Sequence, residues 1–155
     1  MKKTLLAGVG VFLLAALPLG AADKDKDKDA KDDKFDAAKL VGTWKYVSGE
    51  KNGEKSSDDQ LKKDSVVITK DTFTLKGDDT FVMKYTLDAK KTPIGISFKI
   101  VEGPFGKDAT AEGIIELKGD DLKVCYNPED GGKAPEKFEA KEGSKFHCFV
   151  LKRSK

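Results

Sequence analysis

The chain contains few of the residues from which proteins build metal and catalytic sites. Its 155 residues include one histidine, two cysteines and one tryptophan, which leaves little material for a zinc or redox centre. No nucleophile with an adjacent base and no phosphate-binding glycine loop can be recognised in the order of the residues. The single imidazole, His147, stands between Phe146 and Cys148 and is assigned a structural or surface role. The sequence therefore predicts no catalytic residue, no metal and no cofactor, and it favours a protein that is not an enzyme.

The chain also lacks a marked excess of charge of either sign. It carries 29 basic and 27 acidic residues, a formal net charge of +2. Lys2 and Lys3 lie in a segment that we expect to be removed, and the remaining chain is then nearly neutral. Because proteins bind nucleic acids through clustered positive charge, the composition predicts no nucleic-acid partner.

Residues 1–22 have the three parts of a secretory signal peptide. Lys2 and Lys3 form the basic start, residues 5–19 form an uncharged apolar stretch, and small residues follow up to Ala22. A membrane-spanning helix needs roughly 20 apolar residues, whereas this stretch is shorter and contains a proline. We therefore expect cleavage after Ala22, export to the periplasm or the cell exterior, and a product that does not span the membrane.

Residues 23–34, DKDKDKDAKDDK, contain six Asp and five Lys and no large apolar side chain. A segment that buries no apolar surface cannot offset the entropy cost of ordering its backbone. We expect a disordered linker here, followed by a single domain that comprises residues 35–155.

From residue 35 onward, apolar residues recur mostly with a period of two, which is typical of β-strands. The clearest example places Phe81, Met83, Tyr85 and Leu87 on one face of a strand. The same alternation, or a β-rich composition, predicts eight strands, at residues 43–49, 65–69, 72–76, 80–88, 94–100, 110–117, 122–126 and 145–152.

Most connections between these strands are short and rich in turn residues, such as Asn52 and Gly53. Short connections favour antiparallel neighbours and leave no room for the helical crossovers of a parallel sheet. Short helical turns are expected at residues 35–40 and after Ser57, which has capping-box spacing to Gln60. The sequence thus predicts an all-β fold, an antiparallel up-and-down β-barrel of about eight strands with one or two short helical turns. A two-sheet sandwich is the alternative, because alternation does not distinguish closure from stacking.

Gly42-Thr43-Trp44, preceded by a short helical segment, resembles the opening motif of the lipocalins. In that family the tryptophan closes one end of the barrel, and an arginine at the end of the last strand stacks over it. The resemblance implies this role for Gly42, Trp44 and Arg153, which is the single arginine beside 28 lysines. A planar guanidinium suits stacking on an indole better than an ammonium group does.

Residues 36–153 as a whole are similar to a family of short, exported lipocalin-like domains, known mainly from planctomycete genomes and uncharacterised in function. The similarity lies in residues 40–44, 112–126 and 150–153. It implies the barrel fold, but lipocalin-like barrels serve many purposes. The middle motifs of typical lipocalins are not evident, so the resemblance does not imply an open ligand cup.

An eight-stranded barrel either holds one small ligand or is filled by its own side chains. The inward positions are bulky and apolar, and they supply the candidates for a ligand cavity: Phe73, Phe81, Met83, Tyr85, Phe98, Ile100 and Tyr126. We expect an exported, non-enzymatic protein that binds a small apolar or amphipathic molecule. The alternative is a self-filled barrel that acts as an interaction module of the cell envelope and has no small-molecule ligand.

The two cysteines, Cys125 and Cys148, are candidates for a disulfide, because exported proteins usually fold in an oxidising compartment. Alternation predicts that Cys125 points out of the barrel. Cys148 can meet it only if His147, Phe149 and Leu151 point inward, and both faces of that strand are apolar enough for either orientation. The sequence therefore leaves both the bonded and the reduced state open.

Overall fold

The structure, a computed structural model, describes residues 35–104 and 106–155. The predicted signal peptide, residues 1–22, and the predicted linker, residues 23–34, lie outside the described residues. The described part consists of a 3₁₀ helix, one α-helix and nine antiparallel strands.

The elements follow one another with short connections up to the last strand. The 3₁₀ helix spans Ala37–Leu40 and the α-helix, α1, spans Asp58–Lys63. The strands are β1 (Gly42–Lys51), β2 (Glu54–Lys55), β3 (Ser65–Ile68), β4 (Thr72–Lys76), β5 (Thr80–Asp88), β6 (Ile94–Glu102), β7 (Thr110–Lys118), β8 (Asp121–Asn127) and β9 (His147–Arg153).

Eight strands form a closed barrel in up-and-down order. Strands β3 to β8 each pair with the next strand along the chain, and β1 pairs with both β3 and β9. The seam between β1 and β9 runs from Trp44 opposite Arg153 to Lys51 opposite His147. This seam confirms the predicted barrel and excludes the sandwich, because a two-sheet sandwich leaves its first and last strands at open edges.

All eight predicted strands are present, and the structure adds β2. This strand has two residues, which pair with Glu50 and Lys51 at the end of β1. A two-residue strand shows no measurable alternation, so no sequence pattern indicates it. The helix α1 begins where the capping spacing predicts, since the side chain of Ser57 accepts a hydrogen bond from the backbone N–H of Gln60 at 3.4 Å.

The apolar residues form two clusters, one inside the barrel and one outside. The inner cluster contains the fully buried Trp44, Val66 and Leu122. The outer cluster lies where the long connection between β8 and β9 folds back over the barrel wall. It comprises Ile114, Cys125, Ala140 and Cys148, with Phe138 and Phe146 packed against them. A barrel wall covered on both sides is apolar on both faces, which is why the orientation of β9 could not be read from its sequence.

The end of the barrel at which β1 begins is closed by Trp44. The indole is 0% exposed, and its N–H donates a hydrogen bond to the carbonyl of Leu40 at 2.9 Å. The guanidinium carbon of Arg153 lies 4.3 Å from the centre of the indole ring. Arg153 also donates hydrogen bonds to the carbonyls of Val41, at 2.9 Å, and Lys39. Arg153 therefore ties the end of β9 to the segment that leads into β1.

Gly42 permits this arrangement for two reasons. Its φ angle is +144°, in a region that residues with a side chain rarely adopt. A Cβ atom at this position would also lie 2.7 Å from a guanidinium nitrogen of Arg153. A larger residue at position 42 would displace the arginine from the indole.

Candidate functional site

A cavity of about 510 Å³ lies at the end of the barrel opposite Trp44. Its rim includes Lys51 at the end of β1, Lys76 at the end of β4, Thr110 at the start of β7 and His147 at the start of β9. Residues of α1, among them Leu61, also line it. The cavity is therefore the open mouth of a barrel whose other end is closed.

Four of the seven predicted cavity residues line this space, namely Phe81, Met83, Ile100 and Tyr126. The other three, Phe73, Tyr85 and Phe98, are not part of its lining. They lie in the filled part of the barrel, where the ring of Phe73 contacts those of Phe98 and Tyr85 edge to face at 5.2 and 6.4 Å. The hydroxyl of Tyr85 donates to the carbonyl of Thr69 at 2.9 Å. Alternation predicts that a side chain faces inward but carries no information about its height along the barrel axis.

Sequence reasoning missed several residues of the lining, above all Tyr46, Asp64, His147 and Phe149. Tyr46 and Phe149 come from the two strands that form the seam, and their rings are 5.2 Å apart, edge to face. His147, which was assigned a structural or surface role, lies in the cavity lining with its ring 5.4 Å from that of Tyr126. Two signals in the sequence indicated members of this group: the alternation of Tyr46 with Trp44, and the requirement that His147 and Phe149 point inward if Cys148 is to meet Cys125.

Three polar groups of the lining, the hydroxyls of Tyr46 and Tyr126 and the imidazole of His147, have no hydrogen-bond partner among the described residues. They are not sealed from solvent either. None of the three is among the fully buried side-chain polar atoms of the described residues that lack a hydrogen bond. The three groups therefore face the cavity and are available to whatever occupies it.

The same three groups are uncharged at neutral pH. Burial raises the pKa of Tyr126 to about 12. The pKa of Tyr46 is raised further by burial, with smaller effects from Tyr126 and Asp64. Burial and the positive charge of Lys51 lower the pKa of His147 from 6.5 to about 4. The inner part of the cavity thus offers hydrogen bonds without a formal charge.

Formal charges are found at the rim, and they are mixed. Lys51 and Lys76 contribute positive charge, and Asp64, Asp78 and Asp79 contribute negative charge. Burial and the neighbouring Asp78 raise the pKa of Asp64, and Lys51 and Lys63 oppose this rise. The rim therefore presents no strong field that would select a highly charged ligand.

A disulfide joins Cys125 and Cys148, whose sulfurs lie on the outer face of the barrel in the second apolar cluster. The two residues are directly opposite each other in the pairing of β8 with β9. The next pair in this register is Tyr126 with His147. The disulfide thus crosslinks the two strands at the level of the cavity wall, on the opposite face.

We predict that His147 makes the protein less stable as the pH falls from 6.5 to about 4. The unfolded chain takes up the imidazole proton at a higher pH than the folded protein does, so protonation in this interval favours unfolding. Above this interval His147 has no such effect. Asp64 acts in the opposite direction, because its raised pKa lets the folded protein take up a proton first.

The measurement is urea denaturation of the wild type and of His147→Phe at a series of pH values. The variant keeps an aromatic ring beside Tyr126 and removes the titrating group, so its stability should decline less across this interval. The same decline in both proteins would contradict the assignment of His147 as a buried, neutral base.

A second cleft, of about 550 Å³, lies on the outer wall between β6, β7 and residues 134–136. Its most buried polar groups are already paired, because the hydroxyl of Ser97 donates to the carboxylate of Glu112 at 2.6 Å. The cavity at the mouth, with its unpaired polar groups, is the better candidate for a binding site.

Within residues 35–104 and 106–155, no cluster of three or more His, Cys, Asp or Glu side chains is arranged to hold a metal ion. Neither does a helix in this part of the chain have the length and apolar character needed to cross a membrane.

Comparison of the chain with protein-family models, with curated proteins and with solved structures gave no match.

Proposed function

We propose that the chain is an exported, lipocalin-like binding protein that holds one small apolar or amphipathic molecule in the mouth of its barrel and does not catalyse a reaction. The observation that carries this proposal is the cavity of about 510 Å³ opposite the closed end. Ligand pockets of proteins commonly measure roughly 300–1,000 Å³ and combine an apolar lining with a few polar groups. The mouth of this barrel has both properties.

The lining supports an apolar or amphipathic ligand in particular. Phe81, Met83, Ile100 and Phe149 supply apolar surface, and methionine adapts its shape to different ligands. A polar metabolite would leave these side chains without favourable contacts, since the inner cavity offers few hydrogen-bonding groups.

The sequence and the disulfide support export. Residues 1–22 have the pattern of a secretory signal peptide, and disulfides persist mainly in oxidising compartments outside the cytoplasm. The stacking of Arg153 on Trp44 supports the lipocalin-like assignment, because the resemblance implies this contact.

We predict that the purified protein binds one equivalent of an environment-sensitive naphthalene dye. Substitutions that place a larger side chain in the cavity should weaken this binding. Met83→Trp and Ala111→Phe each insert a larger side chain into the lining. A dye that must share the cavity with the larger side chain overpacks it, and overpacking costs about 1–3 kcal/mol, which corresponds to a loss of affinity of roughly fivefold to 150-fold. Fluorescence titration measures this loss.

Val47→Trp is the matched control, because Val47 is 56% exposed on β1 and does not line the cavity. This variant should bind the dye as the wild type does. Native mass spectrometry of the protein from its own host complements the titration, since a copurifying small molecule would support the proposal directly. If no apolar dye binds and the native mass is that of the bare chain, the proposal is wrong and the self-filled interaction module replaces it.

A further inference from the structure

The polar groups of the cavity have a common location that constrains the ligand further. Tyr126 and His147 face each other across the β8–β9 pairing, with their rings 5.4 Å apart. Tyr46 lies two positions beyond the fully buried Trp44 and reaches the same region, with its ring against Phe149, which also contacts Tyr126. The hydroxyls and the imidazole are thus grouped on one wall of the cavity, which β1, β8 and β9 form.

We propose that the cavity takes an uncharged amphipathic lipid, whose hydroxyl or carbonyl head is held by Tyr46, Tyr126 and His147. This inference rests on the proposed function, because it specifies the chemical class of ligand for the same cavity. Long-chain alcohols and acylglycerols have an uncharged polar head. The heads of fatty acids and alkylamines are charged at neutral pH.

The head group binds at this wall because the wall has hydrogen-bonding capacity that the protein does not use. The hydroxyls of Tyr46 and Tyr126 and the imidazole of His147 have no partner among the described residues. A hydrocarbon tail placed there would exclude solvent and leave the groups unpaired, which disfavours binding. A hydroxyl or carbonyl head pairs with them and avoids that loss.

The head group is uncharged because the three groups that hold it are themselves uncharged. A carboxylate there would lose its hydration, and His147 cannot compensate as a cation because its pKa is about 4. Lys51 is exposed at the rim, with its ammonium 5.8 Å from the Phe149 ring. An ammonium head on the ligand would lose its hydration in the same way. The carboxylates that could pair with it, Asp64, Asp78 and Asp79, lie at the rim.

The experiment compares four ligands with the same chain, namely lauryl alcohol, laurate, laurylamine and dodecane, by displacement of the naphthalene dye at neutral pH. We expect the alcohol to bind roughly tenfold more tightly than either charged compound. Tyr126→Phe and Tyr46→Phe should each weaken alcohol binding by about threefold to tenfold, because each removes one hydrogen bond. Neither variant should change the binding of dodecane.

Tyr85→Phe is the matched control, since its hydroxyl is bonded to Thr69 and does not line the cavity. It should bind all four ligands as the wild type does. The inference is overturned if laurate binds as tightly as the alcohol and loses affinity in Lys51→Ala, which would place an anionic head at the rim. It is also overturned if the tyrosine variants bind the alcohol as well as Tyr85→Phe does.

The ligand series on the wild type keeps the test valid if a tyrosine variant fails to fold. Failure of the proposed function has a different signature from failure of this inference. If neither the dye nor dodecane binds, the cavity does not bind apolar molecules and the proposed function is wrong. If both bind but the head group makes no difference, only the present inference fails.

Discussion

Trp44→Ala is expected to lower the free energy of unfolding by about 3–5 kcal/mol. The indole is fully buried, so its removal loses apolar burial and leaves a cavity at the closed end of the barrel. The carbonyl of Leu40 loses its hydrogen-bond donor, and the guanidinium of Arg153 loses the ring on which it stacks. Urea denaturation followed by circular dichroism measures the change, because it does not depend on tryptophan fluorescence.

The wild type provides an independent check, since Trp44 is its single tryptophan. Its emission should be blue-shifted and poorly quenched by iodide in the folded protein. Arg153→Lys serves as the partial variant, because it keeps the charge but loses the planar stacking and the paired hydrogen bonds to the carbonyls of Val41 and Lys39. It should destabilise the protein less than Trp44→Ala does. Free quenching of Trp44 by iodide in the folded wild type would contradict its assignment as the plug.

Reduction of the disulfide between Cys125 and Cys148 is expected to lower the free energy of unfolding by about 3 kcal/mol. The two cysteines are 23 residues apart, and the crosslink limits the number of conformations open to this loop in the unfolded chain. Denaturation with and without a reducing agent measures the effect.

The control is the double variant Cys125→Ala/Cys148→Ala, whose stability should not respond to the reducing agent. Thiol counting on the unfolded, unreduced protein gives a direct result, and we expect no free thiol. Two free thiols would show that the bond is not formed in the exported protein. Because Tyr126 and His147 form the next pair along the same two strands, reduction should also weaken dye binding.

The positions of the barrel strands and most of their inward faces could be predicted from interactions between neighbouring residues. Alternation over residues such as Phe81, Met83 and Tyr85 reflects a strand with one face in the core, and it can be read from neighbouring positions alone. The short connections made antiparallel neighbours the simplest arrangement. The start of α1 could be predicted in the same way, because a cap depends on residues only three positions apart.

Closure of the barrel depends on contacts that are distant in the sequence. The seam pairs Trp44 with Arg153 and Lys51 with His147, and no local pattern reports such a pairing. The resemblance of the Gly42-Thr43-Trp44 motif to that of the lipocalins was the single indication that Trp44 and Arg153 lie together. The seam also brings Tyr46 and Phe149 together. This part of the candidate site could not be predicted from the sequence, because it forms only when the first and last strands pair.

The amino-acid sequence was sufficient for the eight barrel strands, for the inward and outward positions where alternation is clear, and for the antiparallel order, since each follows from the conformational and burial preferences of adjacent residues. Three features required the folded chain: the orientation of β9, the height of each inward side chain and the presence of a cavity. The orientation of β9 depends on Phe138 and Ala140, which cover the outer wall from a distant connection. The cavity exists because Trp44, Phe73 and Phe98 fill one end of the barrel and leave the other open, which is a balance of volumes over all eight strands.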